Sequence, residues 1–224
     1  MTRLTRDDHD LVTAAVTAAE RDSNGEIVTI VADQSDAYHD VALHFAILAM
    51  LLVPAALAAF PQGWIDWAVG LWLGWNAEPS RAQLMLFLFA KLAGAFLVVR
   101  LILAWRPLRL ALTPGWTKTR RVRRRAIILF RAACELRTRG RTGVLVYVSL
   151  AERRAEIVAD RAIADEVEPE VWGEAMATLI AGVKDGRPGD GLARAIENIA
   201  AVLARVVPPD AANPNELPDR LVEL

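Results

Sequence analysis

The chain has 224 residues, 54% of them hydrophobic and 24% charged, with a mean hydropathy of +0.27 and a formal net charge of −1. A soluble domain is about 45–50% apolar with glycine counted, so the surplus must be concentrated in part of the chain. The charge is partitioned too: residues 1–40 sum to −6, 41–105 to +1, 106–131 to +9 and 132–224 to −5. Four electrostatic blocks in series exclude a uniformly soluble enzyme, a disordered chain and a general nucleic-acid binder.

At the amino end, Thr5-Arg6-Asp7-Asp8 has the pattern of a helix N-cap with an acid three residues on. Leu11, Ala15, Ala18 and Ala19 then recur at helical spacing until Asn24-Gly25 breaks the pattern. Ile27-Val28-Thr29-Ile30-Val31 has the β-branched composition of a buried strand. A further helix is predicted from near Ser35 or Asp36, running without a break into the apolar block. No secretory signal is expected, because residues 1–40 are polar and acidic.

Residues 41–60 hold no formal charge and can cross a hydrocarbon core of about 30 Å at about 1.5 Å per residue. His44 and Pro54 interrupt the run, and Pro54 predicts a kink. A second stretch, residues 84–105, carries Lys91 and Arg100. Arg100, near one end, can snorkel to the interface, whereas Lys91 either snorkels or marks a functional position. Between them lies a segment too short to cross, with Trp64, Trp67, Trp72 and Trp75; together with Trp105 and Trp116 these form an aromatic belt at headgroup level. Ala90 and Gly94 make a small-xxx-small pair that permits close helix packing.

Nine basic residues and no acid follow in 106–131, whereas residues 61–83 contain Arg81 as their one basic residue. The positive-inside rule therefore places the C-terminal block in the cytoplasm, and two spans return the N-terminal block to the same side. Lys118, Arg120, Arg121, Arg123, Arg124 and Arg125 are the candidates for contact with anionic lipid headgroups. Nucleic acid is not expected as a partner, because no stacking aromatics lie among these arginines.

Val122, Ala126, Leu129, Phe130, Ala133 and Leu136 mark the apolar face of a helix that Gly140 would stop. Cys134, the single cysteine, lies in it and reads as a buried, inert thiol. A hairpin is predicted next, with strands over 144–150 and 155–159 and a turn at Ala151-Glu152-Arg153-Arg154. Helices over 169–184 and 190–206 follow, then an irregular tail punctuated by Pro208, Pro209, Pro214 and Pro218. One N-terminal strand is not stable alone, so it needs the hairpin beyond the apolar block as its partner.

Gly143-Val144-Leu145-Val146-Tyr147-Val148-Ser149, followed by Glu152-Arg153-Arg154 and Glu156-Ile157, resembles the core of the TPM domain family. Arg139-Gly140-Arg141-Thr142-Gly143 upstream and Trp172 downstream are similar to its membrane-bound bacterial branch. The likeness extends to the 27–31 strand, to Gly191 and to Asn215-Glu216-Leu217-Pro218. It implies an α/β/α sandwich with a small mixed sheet, and a family that includes phosphatase-like thylakoid-lumen proteins, photosystem repair factors and a receptor accessory protein. Many relatives end the second hairpin strand in Gly-x-Gly and an acid; here Val158-Ala159-Asp160-Arg161 stands instead, without the glycines that let a backbone approach phosphate.

Asp160, Arg161, Asp165, Glu166, Glu168 and Glu170 form the dense acidic segment beside a strand end, and carboxylates suit calcium or magnesium. Asp160 is the best metal candidate, although no EF-hand spacing is present and the later acids also favour a helix N-terminus. Arg153 and Arg154 are candidates for an anion, since guanidinium forks suit phosphate. His9, His39 and His44 offer no ligand pair, and the Arg139 to Gly143 segment precedes a strand and lacks a P-loop lysine.

The expected organisation is an α/β fold, a small mixed sheet with helices on both faces, interrupted by a two-helix transmembrane hairpin. Residues 1–40 and 106–207 build the α/β domain, the latter opening with a basic juxtamembrane helix. Residues 41–105 form the hairpin with a Trp-rich connecting loop, and 208–224 the tail. The expected function is an accessory or interaction module at the bacterial inner membrane, with lipid and protein partners and both termini cytoplasmic. The alternative is a metal-assisted, phosphatase-like hydrolase using Asp160 with Asp165 or Asp190 and Arg153 or Arg154.

Overall fold

The computed structural model describes residues 4–75, 78–134, 142–209 and 217–224. Leu136, Arg139, Gly140, Arg141, Pro214, Asn215 and Glu216, all used above, lie outside the described residues. The chain forms two compact units, Met1–Ala37 with Gly115–Leu224, and Tyr38–Pro114.

In the first unit, helix α1 (Arg6–Arg21) opens with a reciprocal cap: the Asp8 amide donates to Thr5 Oγ1 at 3.2 Å, and the Thr5 amide donates to the Asp8 carboxylate at 2.7 Å. Strand β1 (Glu26–Ala32) follows. The second unit contains α2 (His39–Ala59), α3 (Gln62–Leu73), α4 (Arg81–Ile102) and α5 (Arg106–Leu112). The chain then returns to the first unit with α6 (Gly115–Ala133), strands β2 (Gly143–Ser149) and β3 (Arg154–Ala159), and short helix α7 (Arg161–Ala164). Helices α8 (Pro169–Lys184) and α9 (Pro188–Val206) and strand β4 (Val222–Glu223) complete it.

The sheet order is β3-β2-β1-β4. Strand β1 pairs in parallel with β2 from Glu26↔Gly143 to Ala32↔Ser149, and β2 returns antiparallel through β3. Parallel neighbours require a crossover, and the whole second unit is inserted into that crossover ahead of α6. Side chains alternate across the pleat. Ile27 and Val31 of β1 with Val144, Val146 and Val148 of β2 pack beneath α1, α8 and α9, joining Val12, Val16, Leu179, Leu192, Ile196 and Leu203. Val28, Ile30, Leu145 and Tyr147 face the other way, against Val122, Ala126 and Phe130 of α6 and Cys134 just after it. Burial on both faces is why β1 and β2 read as continuous apolar runs.

Helices α8 and α9 approach at Gly182 and Gly191: a Cβ built on Gly182 would lie 2.5 Å from the Gly191 Cα. Only glycine permits that spacing.

In the second unit, α2 and α4 are each long and apolar enough to cross a membrane, with mean hydropathies of 2.4 and 2.2. Only 11% and 6% of their apolar windows are buried, so α2 directs leucines outward and α4 leucines and Phe89, unlike the core helix of a soluble domain. Helix α2 runs through Pro54, and the Lys91 ammonium of α4 lies 5.1 Å from the centre of the Phe87 ring.

Several boundaries differ from the sequence expectation. Helix α2 begins at His39 rather than near Ser35, because Tyr38 is left-handed (φ 53°) and the Ser35 amide is held by Glu152. The Ser80–Gln83 capping box starts α4 at Arg81, ahead of residue 84. The Trp-rich connection contains helix α3, and Pro114 divides the expected juxtamembrane helix into α5 and α6. The tail is not wholly irregular: β4 pairs with β1 as Ile30↔Val222 and Val31↔Glu223.

Candidate functional site

Open α/β sheets commonly bind ligands outside the carboxyl ends of their strands. Here that end is built by the residues after β1 and the β2–β3 turn. The Leu150 amide donates to Ala32 O and the Ala151 amide to Asp33 O, each at 3.0 Å, extending the ladder past both strands. Glu152 closes the end: one carboxylate oxygen accepts from the Ser35 amide at 3.0 Å, the other from the Ser149 hydroxyl. Ser35 Oγ lies 2.9 Å from the Tyr147 hydroxyl. Glu152 is only 7% exposed. Burial raises the Tyr147 phenol above its ordinary value, and the Glu152 charge adds to that, while Ser35 and Arg125 act against it.

Arg153 is exposed and left-handed, with φ 50°. Arg154, beside it, reaches the start of α6, where a Cβ on Gly115 would lie 3.3 Å from Nη2. Its Nε is buried and has no hydrogen-bond partner among the described residues. On α6, Arg120 sits 5.2 Å over the ring of Trp116, which is 67% exposed. Arg121 Nη1 lies 3.0 Å from Asp36 Oδ1. Arg120, Arg123, Arg124 and Arg125 are exposed, and Lys118 and Arg121 are half-buried. Burial raises the Glu156 carboxyl, although Arg123 and Arg154 lower it.

The opposite end of the sheet gathers carboxyl groups. Asp160, 7% exposed, accepts from the Gly143 amide at 3.0 Å, while its own amide donates to Gly143 O at 2.9 Å. Glu26 accepts from the Leu217 amide at 2.9 Å. Glu20 accepts from the Ile27 amide at 2.8 Å. Burial pushes the Glu20 carboxyl up to about 8, helped by Glu26 and Asp219 and opposed by the Ile27 amide. Cys134 is fully buried, and desolvation first, with Asp160 and Glu26 behind it, pushes its thiol up to about 12.

The sequence-predicted residues therefore separate. Asp160 is at the carboxyl end of β3, whereas Arg153 and Arg154 are at its start, about 20 Å away at the strand rise. Arg161 is 92% exposed and pairs with Asp165 at 3.4 Å; Asp190, in the first turn of α9, is 3.5 Å from Arg187. Among the described residues, no three His, Cys, Asp or Glu side chains are grouped to hold a metal ion. The structure instead joins Ser35, Tyr147, Ser149 and Glu152, which the sequence reading did not single out as a set. Ser35 and Glu152 are 117 positions apart, and no local pattern links them.

Fold and site define an α/β protein with a four-stranded mixed sheet and a helical insertion containing two candidate membrane spans. No protein-family model and no curated protein matches the chain. Among solved structures, it is similar to the BA42 protein from the psychrophilic bacterium Bizionia argentinensis, determined by NMR. The match has 17% identity and a TM-score of 0.55, covering 99% of this chain and 95% of that one. At that identity the likeness bears on the fold alone.

Proposed function

We propose that this chain is an inner-membrane protein in which α2 and α4 form a membrane hairpin and the TPM-like α/β unit stands in the cytoplasm. The α/β unit serves there as an accessory or interaction module for assembly, repair or regulation of membrane proteins. The observation that carries the reading is the seven-residue parallel register between β1 and β2. Strands on either side of the apolar insertion share one sheet, so the chain must return to the side it left, and an even number of crossings satisfies that. The uninterrupted basic residues of 106–131 favour the cytoplasm as that side. A hydrolase would need Asp160 to work with Arg153 or Arg154, and their placement at opposite ends of β3 favours the accessory reading.

Reporter fusions at each terminus test the topology. A fluorescent reporter should be bright and a periplasm-dependent phosphatase reporter silent at both ends; activity of the phosphatase fusion at either end would overturn the arrangement. Phosphate-ester hydrolysis by the reconstituted protein, with and without magnesium or calcium, tests the accessory role. Turnover abolished by Asp160→Asn would overturn it.

A further inference from the structure

In the two-span arrangement, the basic groups that meet the lipid are set by the end of the α/β unit from which the chain leaves. Both covalent connections to the apolar insertion leave the α/β unit from one end. On one side, Asp36 stands three residues before the first residue of α2. On the other, α6 starts at Gly115, and its second-turn Arg121 holds Asp36 at 3.0 Å. From there α6 runs back toward the amino end of the sheet, where a Cβ on Gly143 would lie 2.9 Å from the Cβ of Cys134. At about 1.5 Å per residue, Arg120 is about 8 Å along the helix from Gly115, Arg124 about 14 Å and Arg131 about 24 Å. Screening at physiological salt acts over about 8 Å. The far arginines are therefore poorly placed for a surface at the Gly115 end.

Tertiary structure supplies other cations at that end. Arg154 reaches Gly115 from the β2–β3 turn, its Nε buried and without a hydrogen-bond partner among the described residues. Arg153 precedes it in a left-handed conformation where glycine would be the unstrained choice, and keeps its side chain exposed. The nearby acids have assigned contacts: Asp36 faces Arg121, Glu152 accepts from Ser35 and Ser149, and Glu156 faces Arg123 and Arg154. Trp116, exposed beneath Arg120, adds an indole suited to the headgroup level.

We propose that Arg153 and Arg154 of the β2–β3 turn, with Trp116 and Arg120 on one face of the first turns of α6, form a binding site for the phosphate of anionic lipid headgroups. The far half of α6 takes no part. The proposal rests on the two-span reading, which supplies the bilayer next to this end, and the occupant is lipid because a membrane helix begins two residues after Ala37. Bidentate guanidinium contacts suit phosphate oxygens.

The test is hydrogen exchange on the full-length protein in nanodiscs of phosphatidylcholine alone or with phosphatidylglycerol. Exchange over residues 115–121 and 152–156 should slow when phosphatidylglycerol is present, by about fivefold for each arginine engaged, and high salt should reverse the effect. The Arg153→Gln/Arg154→Gln variant should lose this protection and Arg124→Gln/Arg131→Gln should keep it. Arg153→Gln alone, at an exposed position, serves should the double variant fold poorly, and should lose part of it. Equal exchange in both lipids, or equal loss in the Arg124/Arg131 variant, would overturn the site. The same protection from inorganic phosphate in phosphatidylcholine discs would overturn lipid as the source. Failure here with cytoplasmic reporters at both termini would remove this site and leave the topology standing.

Discussion

The Asp160 carboxylate accepts the backbone amide of Gly143 at 3.0 Å, so the last residue before α7 closes the first residue of β2. Sequence placed Asp160 at the head of an acidic run suited to a cation; the fold gives it a hydrogen-bonding task at a sheet end. Removing the acceptor from a buried amide costs about 1–3 kcal/mol. Asp160→Ala should therefore lower the unfolding free energy of the α/β unit by that amount, seen as a lower urea midpoint, and Asp160→Asn, which retains an oxygen, by clearly less. Pulse proteolysis of the full chain in nanodiscs measures both. Equal effects would show that charge, rather than acceptance from Gly143, is what the position needs.

Two glycines of α8 should respond oppositely to alanine. At Gly182 the new Cβ would meet the Gly191 backbone at 2.5 Å, and overpacking of this kind costs about 1–3 kcal/mol. At Gly173 nothing lies within 4 Å, and alanine should add about 0.5–1 kcal/mol through helix propensity. The same unfolding measurement separates them, and a neutral Gly182→Ala would mean that the α8–α9 contact is looser than described.

Glu20 makes stability depend on pH. Its carboxyl titrates at 4.5 ordinarily and at about 8 when folded, so between those values the folded state holds a proton that the unfolded state has released. Stability from this group is fully present below 4.5, falls as pH rises through the window, and is lost above about 8. Glu20→Gln keeps an oxygen for the Ile27 amide and removes the titration. Thermal unfolding from pH 5 to 9 should show a flatter profile for this variant, with its gain over the parent largest at the alkaline end.

Cys134 should be silent to thiol reagents in the folded protein. A thiol pushed up to about 12 and fully buried is neither ionised nor accessible at pH 8. An aromatic disulfide reagent should register less than one thiol per chain before denaturation and one after it. Prompt reaction in the native state would show that the α6 end opens readily.

Element identity was legible wherever it depends on neighbours along the chain. The Thr5–Asp8 cap, the β-branched run of β1, the β2–β3 hairpin and the apolar lengths of α2 and α4 are local patterns, and the structure contains each. The candidate site was less legible. Arg153 and Arg154 were visible as a cationic turn, but nothing in their vicinity of sequence announces Gly115, and Ser35 has no local reason to meet Tyr147 and Glu152.

By itself, then, the amino-acid order determined where apolar surface lies, which segments repeat at helical or strand period, and that basic residues follow the second apolar helix. Those properties are set by side-chain chemistry within a few turns of chain. Tertiary structure decided the partners: β1 beside β2 across the insertion, Asp160 on a backbone amide, Gly182 against Gly191, and Arg154 at the head of α6. Each of these is chosen by the closing of one core around a sheet, which brings together groups that the linear order keeps apart.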